Sequence, residues 1–208
     1  MRGVFISLEG PDGAGKTTTA DYIEQLLSEV GYVVIRTREP GGTELSEMIR
    51  KLLLSEEMCS KTELLLFAAS RAEHLERKIK PAIEEGKIIL CDRFADSSFA
   101  YQGYGRGLLE DVKLLEEYVL NGFEPDYTIF FDIPLEVSLE RLAFRFNQQD
   151  RLDKEMRDFK ERVFLGYRQR FEDNPHRMVR INANQTPEEV REEVREWIFN
   201  SFITNNPL

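Results

Sequence analysis

One octapeptide constrains this chain more than any other feature: Gly10-Pro11-Asp12-Gly13-Ala14-Gly15-Lys16-Thr17. It fits the phosphate-loop pattern G-x-x-x-x-G-K-[ST], which works only where a strand delivers the chain and a helix takes it away. Both flanks are present. The apolar run Val4 to Glu9 precedes the loop, and Thr17 to Val30 places Ala20, Ile23, Leu27 and Val30 on one helical stripe, ended by Gly31. Such a loop curls until its N–H groups point at phosphate oxygens, helped by the helix N-terminus. Lys16 adds a full positive charge and Thr17 a hydroxyl for Mg²⁺, so Gly10, Asp12, Gly13, Ala14, Gly15, Lys16, Thr17 and Thr18 form the candidate nucleotide-phosphate site.

The remaining pattern repeats this strand–helix alternation. Further strands are predicted over Tyr32 to Thr37, Lys87 to Cys91, Tyr127 to Asp132 and Met178 to Ile181, mostly as continuous apolar runs, which is how strands covered on both faces read. Helices are predicted over Thr43 to Leu54, Lys61 to Glu85, Asp96 to Tyr101, Leu108 to Asn121, and from Leu135 through an Arg-rich region to Phe171. Ser60 with Glu63, and Thr186 with Glu189, have capping-box spacing. The polar stretch from Arg145 to Asp153 reads as a mobile excursion between two helices. With 208 residues and no linker or repeat, one α/β domain spanning residues 1–208 is expected, with a doubly wound parallel sheet.

Composition removes several function classes. The net charge of −10 argues against a polymeric nucleic acid as partner, because the whole surface repels phosphate. No apolar run is long enough to span a membrane. The two cysteines, Cys59 and Cys91, read as reduced core thiols and point to a cytoplasmic protein. A GTPase switch would carry N-K-x-D, yet no asparagine here precedes a lysine. A motor ATPase usually ends its second-motif strand on an acidic pair, whereas Ile88-Ile89-Leu90-Cys91-Asp92 is followed by Arg93. Asp92 then reads as a magnesium-associated acid, with a strand-end turn residue as the alternative, since Asp132 also ends an apolar run.

From these segments the chain resembles bacterial thymidylate kinases. The resemblance is carried by Ser7-Leu8-Glu9-Gly10 running into the loop, Arg38-Glu39-Pro40-Gly41-Gly42-Thr43, Leu66 to His74, Asp92-Arg93-Phe94, Ser97-Ser98-Phe99-Ala100-Tyr101-Gln102-Gly103 and Asp150-Arg151, in that order. It implies a P-loop kinase fold with five parallel strands in the order 2-3-1-4-5, a mobile lid at about 141–153, ATP and dTMP as substrates, and a homodimer. It also implies that Asp12 faces the sugar 3′-hydroxyl or the acceptor-side metal, that Arg141 lies against adenine opposite Asn182-Ala183-Asn184, and that Tyr101 crowds the sugar 2′ position.

Several assignments have independent physical support. Phe67 and Arg71 share a helical face offset from the stripe Leu65, Ala68, Ala72, Leu75 and Ile79, so a ring and a guanidinium can stack a base and read its edge. The bland reading is a second-layer core ring and a solvated arginine, and the resemblance weighs against it. His74, one turn on, reads as structural or solvated. Arg38 and Arg93 follow strands and emerge where doubly wound folds bind ligands, placed to clamp the acceptor phosphate. Ser98, Tyr101 and Gln102 share a face by spacing. The loop carries no arginine where some kinases of the resembled family place one, so the resemblance implies that Arg141, Arg145 and Arg151 supply the charge, carried by a closing lid, with a solvated basic face as the alternative. The expected activity is γ-phosphoryl transfer from Mg²⁺-ATP to dTMP, with Lys16, Arg93, Arg145 and Arg151 catalytic. The rivals are another P-loop nucleotide or nucleoside kinase and an acceptor-independent ATPase.

Overall fold

The computed structural model describes residues 2–144, 151–152 and 155–205. Five strands, β1 (Val4–Glu9), β2 (Val34–Arg38), β3 (Ile88–Asp92), β4 (Tyr127–Asp132) and β5 (Met178–Asn182), form one sheet in the order β2-β3-β1-β4-β5. Every pairing is parallel, with Leu8 and Arg38 both in register with Asp92. The predicted order and all five strands are therefore present, each within two residues of its expected start.

Continuous apolarity has a clear cause here. Ile6, Leu8, Ile88, Leu90, Ile129 and Phe131 face one cluster with Ile23 and Leu27 of α1 (Lys16–Val30) and Val190 and Val194 of α9 (Pro187–Trp197). Their neighbours Phe5, Ile89 and Cys91 face the opposite cluster with Leu75, Ile79 and Ile83. Successive strand residues point to opposite faces, so a sheet covered by helices on both sides needs apolar residues at every position. Gly31 closes α1 in the left-handed conformation, donating to Leu27 and Ser28 carbonyls. The Thr186–Glu189 capping box forms at α9.

Other elements depart from expectation. The rod predicted from Lys61 to Glu85 runs as α3 (Ser60–His74), a widened π-turn over Leu75–Ile79, and α4 (Lys80–Glu84). Pro81 sits in the first turn of α4, and a residue without an N–H cannot continue the regular ladder through that point. The short helix predicted from Asp96 is α5 (Ala95–Ser98) continued by a π-segment, Phe99–Gly105. The remaining helices are α2 (Glu44–Ser55), α6 (Leu109–Leu120), α7 (Leu135–Ala143) and α8 (Arg157–Asp173). α7 and α8 are two separate helices, as the polar stretch between them leads one to expect, and residues 145–150 and 153–154, most of the expected excursion, lie outside the described residues.

Three smaller expectations are corrected. Cys59 is exposed and only Cys91 is buried. Cys59, not Ser60, caps α3, and no side chain does the capping, because the Glu63 carboxylate is taken by Gln102, Arg106 and Arg151. Leu65 is 56% exposed, since the buried face of α3 is instead Glu63, Leu64, Ala68, Ser70, Arg71 and His74. Its polar members are each partnered: Glu63 with Gln102, Arg106 and Arg151, Ser70 with the Gly41 N–H and Ser46 Oγ, His74 with Thr37 and Glu39, and Arg71 with groups lining a cleft.

Candidate active site

The loop between β1 and α1 is held from beneath and from the side. Gly10 takes φ 141° where β4 passes so close that a Cβ would lie 2.6 Å from the Phe131 carbonyl oxygen, so only glycine fits. From α7, Ser138 Oγ donates to the Asp12 carbonyl at 2.7 Å and Arg141 Nη1 to the Gly13 carbonyl at 3.2 Å. Lys16 Nζ donates to the carbonyls of Gly10 at 2.8 Å and Pro11 at 2.9 Å. Burial and then the nearby Arg93 charge bring its ammonium pKa down to about 8. Thr17 Oγ1 donates to Asp92 Oδ2 at 2.8 Å, whereas Asp132 sits against Arg180 at 2.7 Å. The geometry thus separates the two strand-end acids.

Arg93 is the hub. It leaves β3 with φ 72°, unusual for a residue with a side chain, and its own N–H donates to the Leu8 carbonyl at 2.9 Å. Nη1 donates to the Gly10 carbonyl at 3.1 Å, Ser97 Oγ at 3.2 Å and the Tyr167 hydroxyl at 2.7 Å. Nη2 pairs with Asp12, whose other oxygen accepts from the Tyr101 hydroxyl at 2.5 Å. Burial raises the Asp12 carboxyl, but Arg93 and Lys16 outweigh it and bring its pKa to about 2. Behind Arg93, Glu9 accepts from the Phe94 N–H at 2.7 Å and Ser97 Oγ at 2.6 Å. Burial, and then Asp96, lift its carboxyl to about 7.

The opposite wall comes from α3 and the segment after α5. Arg71 is 1% exposed, its guanidinium 5.2 Å from the Phe94 ring centroid. Its Nη1 donates to Ser98 Oγ at 2.9 Å, and Gln102 Nε2 donates to Glu63 Oε1 at 2.9 Å. Arg38 pairs with Glu47 at 3.0 Å. His74 is buried and structural, its ring nitrogens bonded to Thr37 Oγ1 at 2.7 Å and Glu39 Oε1 at 2.9 Å.

One cleft collects most of the expected residues: Asp12, Gly13, Gly15, Lys16, Thr17, Thr18, Arg38, Phe67, Arg71, Asp92, Arg93, Ser98, Tyr101 and Gln102 all line it. Gly10 and Ala14 support the loop from within. Arg141 lies on the outer side of the loop, and buried Ala183 donates its N–H to the Asp132 carbonyl at 2.8 Å, both away from that cleft. Arg151 sits against α2 and α3, donating to Glu63 Oε2 at 2.7 Å and the Leu53 carbonyl at 3.1 Å, with Leu152 lining the cleft. Arg145 lies outside the described residues. Sequence reasoning missed Glu39, Glu63, Glu116 and Tyr167. Only Glu39 had a signal, its place before Pro40-Gly41-Gly42.

Among the described residues no group of three or more His, Cys, Asp or Glu could hold a metal by itself. Thr17 and Asp92 instead offer one hydroxyl and one carboxylate, a hard oxygen pair beside a phosphate loop.

Comparison with known proteins agrees with this geometry. A family model described as thymidylate kinase matches residues 8–194. The thymidylate kinase of Staphylococcus epidermidis is 46% identical over 196 residues, covering 93% of this chain and 96% of that protein. Those of Clostridium novyi (46% over 202 residues, 95% and 98% covered) and Pseudomonas putida (48% over 198 residues, 93% and 94% covered) are similarly close. The phosphate loop, the Arg93 hub and the Arg71 wall thus stand in a chain that belongs to the thymidylate kinase family.

Proposed function

We propose that the cleft transfers the γ-phosphoryl group of ATP to the 5′-phosphate of dTMP, giving ADP and dTDP. The observation that carries this reading is that a single cleft joins a phosphate loop at one end to a stacking ring and a donor-only guanidinium, Phe67 and Arg71, at the other. Thymidylate kinase activity is the activity of the family, with ATP as phosphoryl donor.

Lys16 and the loop N–H groups bind the transferred phosphates, while Arg93 and Arg38 hold the acceptor phosphate. A phosphate monoester is already largely ionised near neutral pH, so no general base is needed and catalysis rests on positioning and charge neutralisation. Asp12, fixed by Arg93 and Tyr101, faces the sugar 3′-hydroxyl side, and Tyr101 crowds the 2′ position. Arg141 and Ala183 flank the adenine, and Arg145 and Arg151 add positive charge at the rim. Thr17 and Asp92 would hold Mg²⁺, which when bound neutralises phosphate charge.

The chain works as one domain and pairs as a homodimer through α2, α3 and α6. Supporting this, Leu45, Met48, Leu52, Leu65, Leu114 and Tyr118 on those three helices expose large apolar side chains. A cytoplasmic location is supported by two free cysteines, and among the described residues no helix is long and apolar enough to cross a membrane.

The test is ADP release measured across nucleoside monophosphates. dTMP should exceed dUMP by roughly 10 to 200-fold, the worth of one methyl group, and dCMP should be lower still, on the order of 10⁴ below dTMP, because its amino group faces the Arg71 donors. Equal turnover of dCMP or AMP would replace this reading with a broader nucleotide kinase, and acceptor-independent ADP release would favour an ATPase.

A further inference from the structure

Two carboxylates from different elements share the buried Arg71 guanidinium. Glu39, just after β2, accepts from Nε at 2.7 Å, and Glu116 of α6 is paired with Nη1, which also donates to Ser98. Nη2 is the one nitrogen with no protein partner among the described residues, and Arg71 lines the cleft. Glu39 is committed elsewhere as well, through its bond to His74. With the Nε contact alone the guanidinium could still turn about the torsions of its own side chain, and a second contact at Nη1 restricts that turning.

Glu116 is otherwise an expensive residue to keep. It is 4% exposed, and its Oε2 has no hydrogen-bond partner among the described residues. Burial pushes its carboxyl upward and Arg71 opposes the rise. Were α6 only required to pack on α3, an apolar side chain would serve better, since a half-satisfied buried carboxylate is destabilising.

We propose that Glu116 is a specificity-determining positioning residue: with Ser98 it fixes the plane of the Arg71 guanidinium so that Nη2 alone is presented to the O4 edge of the pyrimidine. It touches no substrate and acts wholly through Arg71. The inference rests on the reading that Arg71 faces the base.

The experiment is steady-state kinetics of purified Glu116→Gln with dTMP, dUMP and dCMP, with ATP-analogue binding as a check that the phosphate-loop side is intact. The expected result is a KM for dTMP raised about tenfold with kcat within about threefold of wild type, since what is lost is binding of an unreacting part. dUMP, which shares O4, should move in parallel, and the kcat/KM ratio of dTMP over dCMP should fall about tenfold. In an Arg71→Met background the same substitution should leave that ratio unchanged. If Glu116→Gln does not fold, Arg71→Met/Glu116→Met, which removes both charges together, is compared with Arg71→Met alone, and equal dTMP to dCMP ratios are expected. An unchanged dTMP KM and ratio in folded Glu116→Gln, a kcat loss common to all acceptors, or a further change in the Arg71→Met background would each overturn the proposal. If Arg71→Ala itself leaves the dTMP preference intact, the base-facing reading fails instead, which distinguishes the two failures.

Discussion

Lys16 holds the largest lever available to one side chain here. Its ammonium pKa is lowered from 10.5 to about 8, so the free protein loses this charge as pH rises through about 8. kcat/KM for ATP should therefore fall above that pH, and Lys16→Ala should lack the alkaline limb while its kcat drops by about 10². A folded Lys16→Ala protein with full turnover would move the chemistry away from the loop. Glu9 gives a stability counterpart of opposite sense. Its carboxyl is raised from 4.5 to about 7, so the folded state holds the proton more tightly, and the stabilising effect present below about pH 4.5 is lost as pH climbs through about 7. Melting temperatures of Glu9→Gln across that window should fall less with rising pH than those of the wild type. Lys16 and Thr17 were legible in the sequence because the loop motif ties their chemistry to local spacing, whereas for Phe67 and Arg71 spacing left a core ring and a solvated arginine open and only family likeness pointed to a base. Glu63 and Glu116 were not legible, because Glu63 reads as half of a capping box and a carboxylate such as Glu116 on an amphipathic helix reads as solvated until its arginine, 45 residues away, is brought against it in the fold.

At the scale of elements, the crossing of α8 over the π-segment Phe99–Gly105 is held by a glycine contact. A Cβ at Gly166 would lie 2.8 Å from the Ala100 Cα and 3.0 Å from the Tyr104 side chain, so the backbones approach as closely as they do only because nothing projects there. Gly166→Ala should cost about 1–3 kcal/mol of stability through overpacking, read as a lowered melting temperature. It should also lower turnover, because Tyr101 and Tyr167, on the two crossing segments, both touch Arg93. Strand positions were legible because five apolar runs fit both-face burial. The widened turns were not, since π-geometry arises from Pro81 and from packing against α8 rather than from periodicity. Arg151 stands near the rim of the cleft, joined to Glu63 beside Arg106. Arg151→Ala should lower kcat with little change in dTMP KM, and an unaltered kcat would leave Arg151 as a structural pair for Glu63 alone.

For the whole molecule, the sheet order places β1 and β3 side by side, so that Lys16 and Arg93 emerge at one edge from neighbouring strands. The order itself came from family likeness, while the parallel, doubly covered character was written in the apolar runs. The exposed faces of α2, α3 and α6 carry the assembly prediction: Leu114→Asp with Tyr118→Asp should shift sedimentation from dimer to monomer without unfolding the chain, and an unchanged sedimentation coefficient would place the contact elsewhere. The two carbonyls that hold Lys16 have a consequence beyond rigidity. The lysine is already coordinated by its own loop, through bonds of a kind worth about 1.5–3 kcal/mol each, so an incoming anion competes with Gly10 and Pro11 for it. Chloride, a single-atom anion, makes few bonds in return, whereas a polyphosphate chain engages the lysine and the loop N–H groups together through several oxygens. The loop thus favours a ligand that meets lysine and backbone at once over one that can meet the lysine alone.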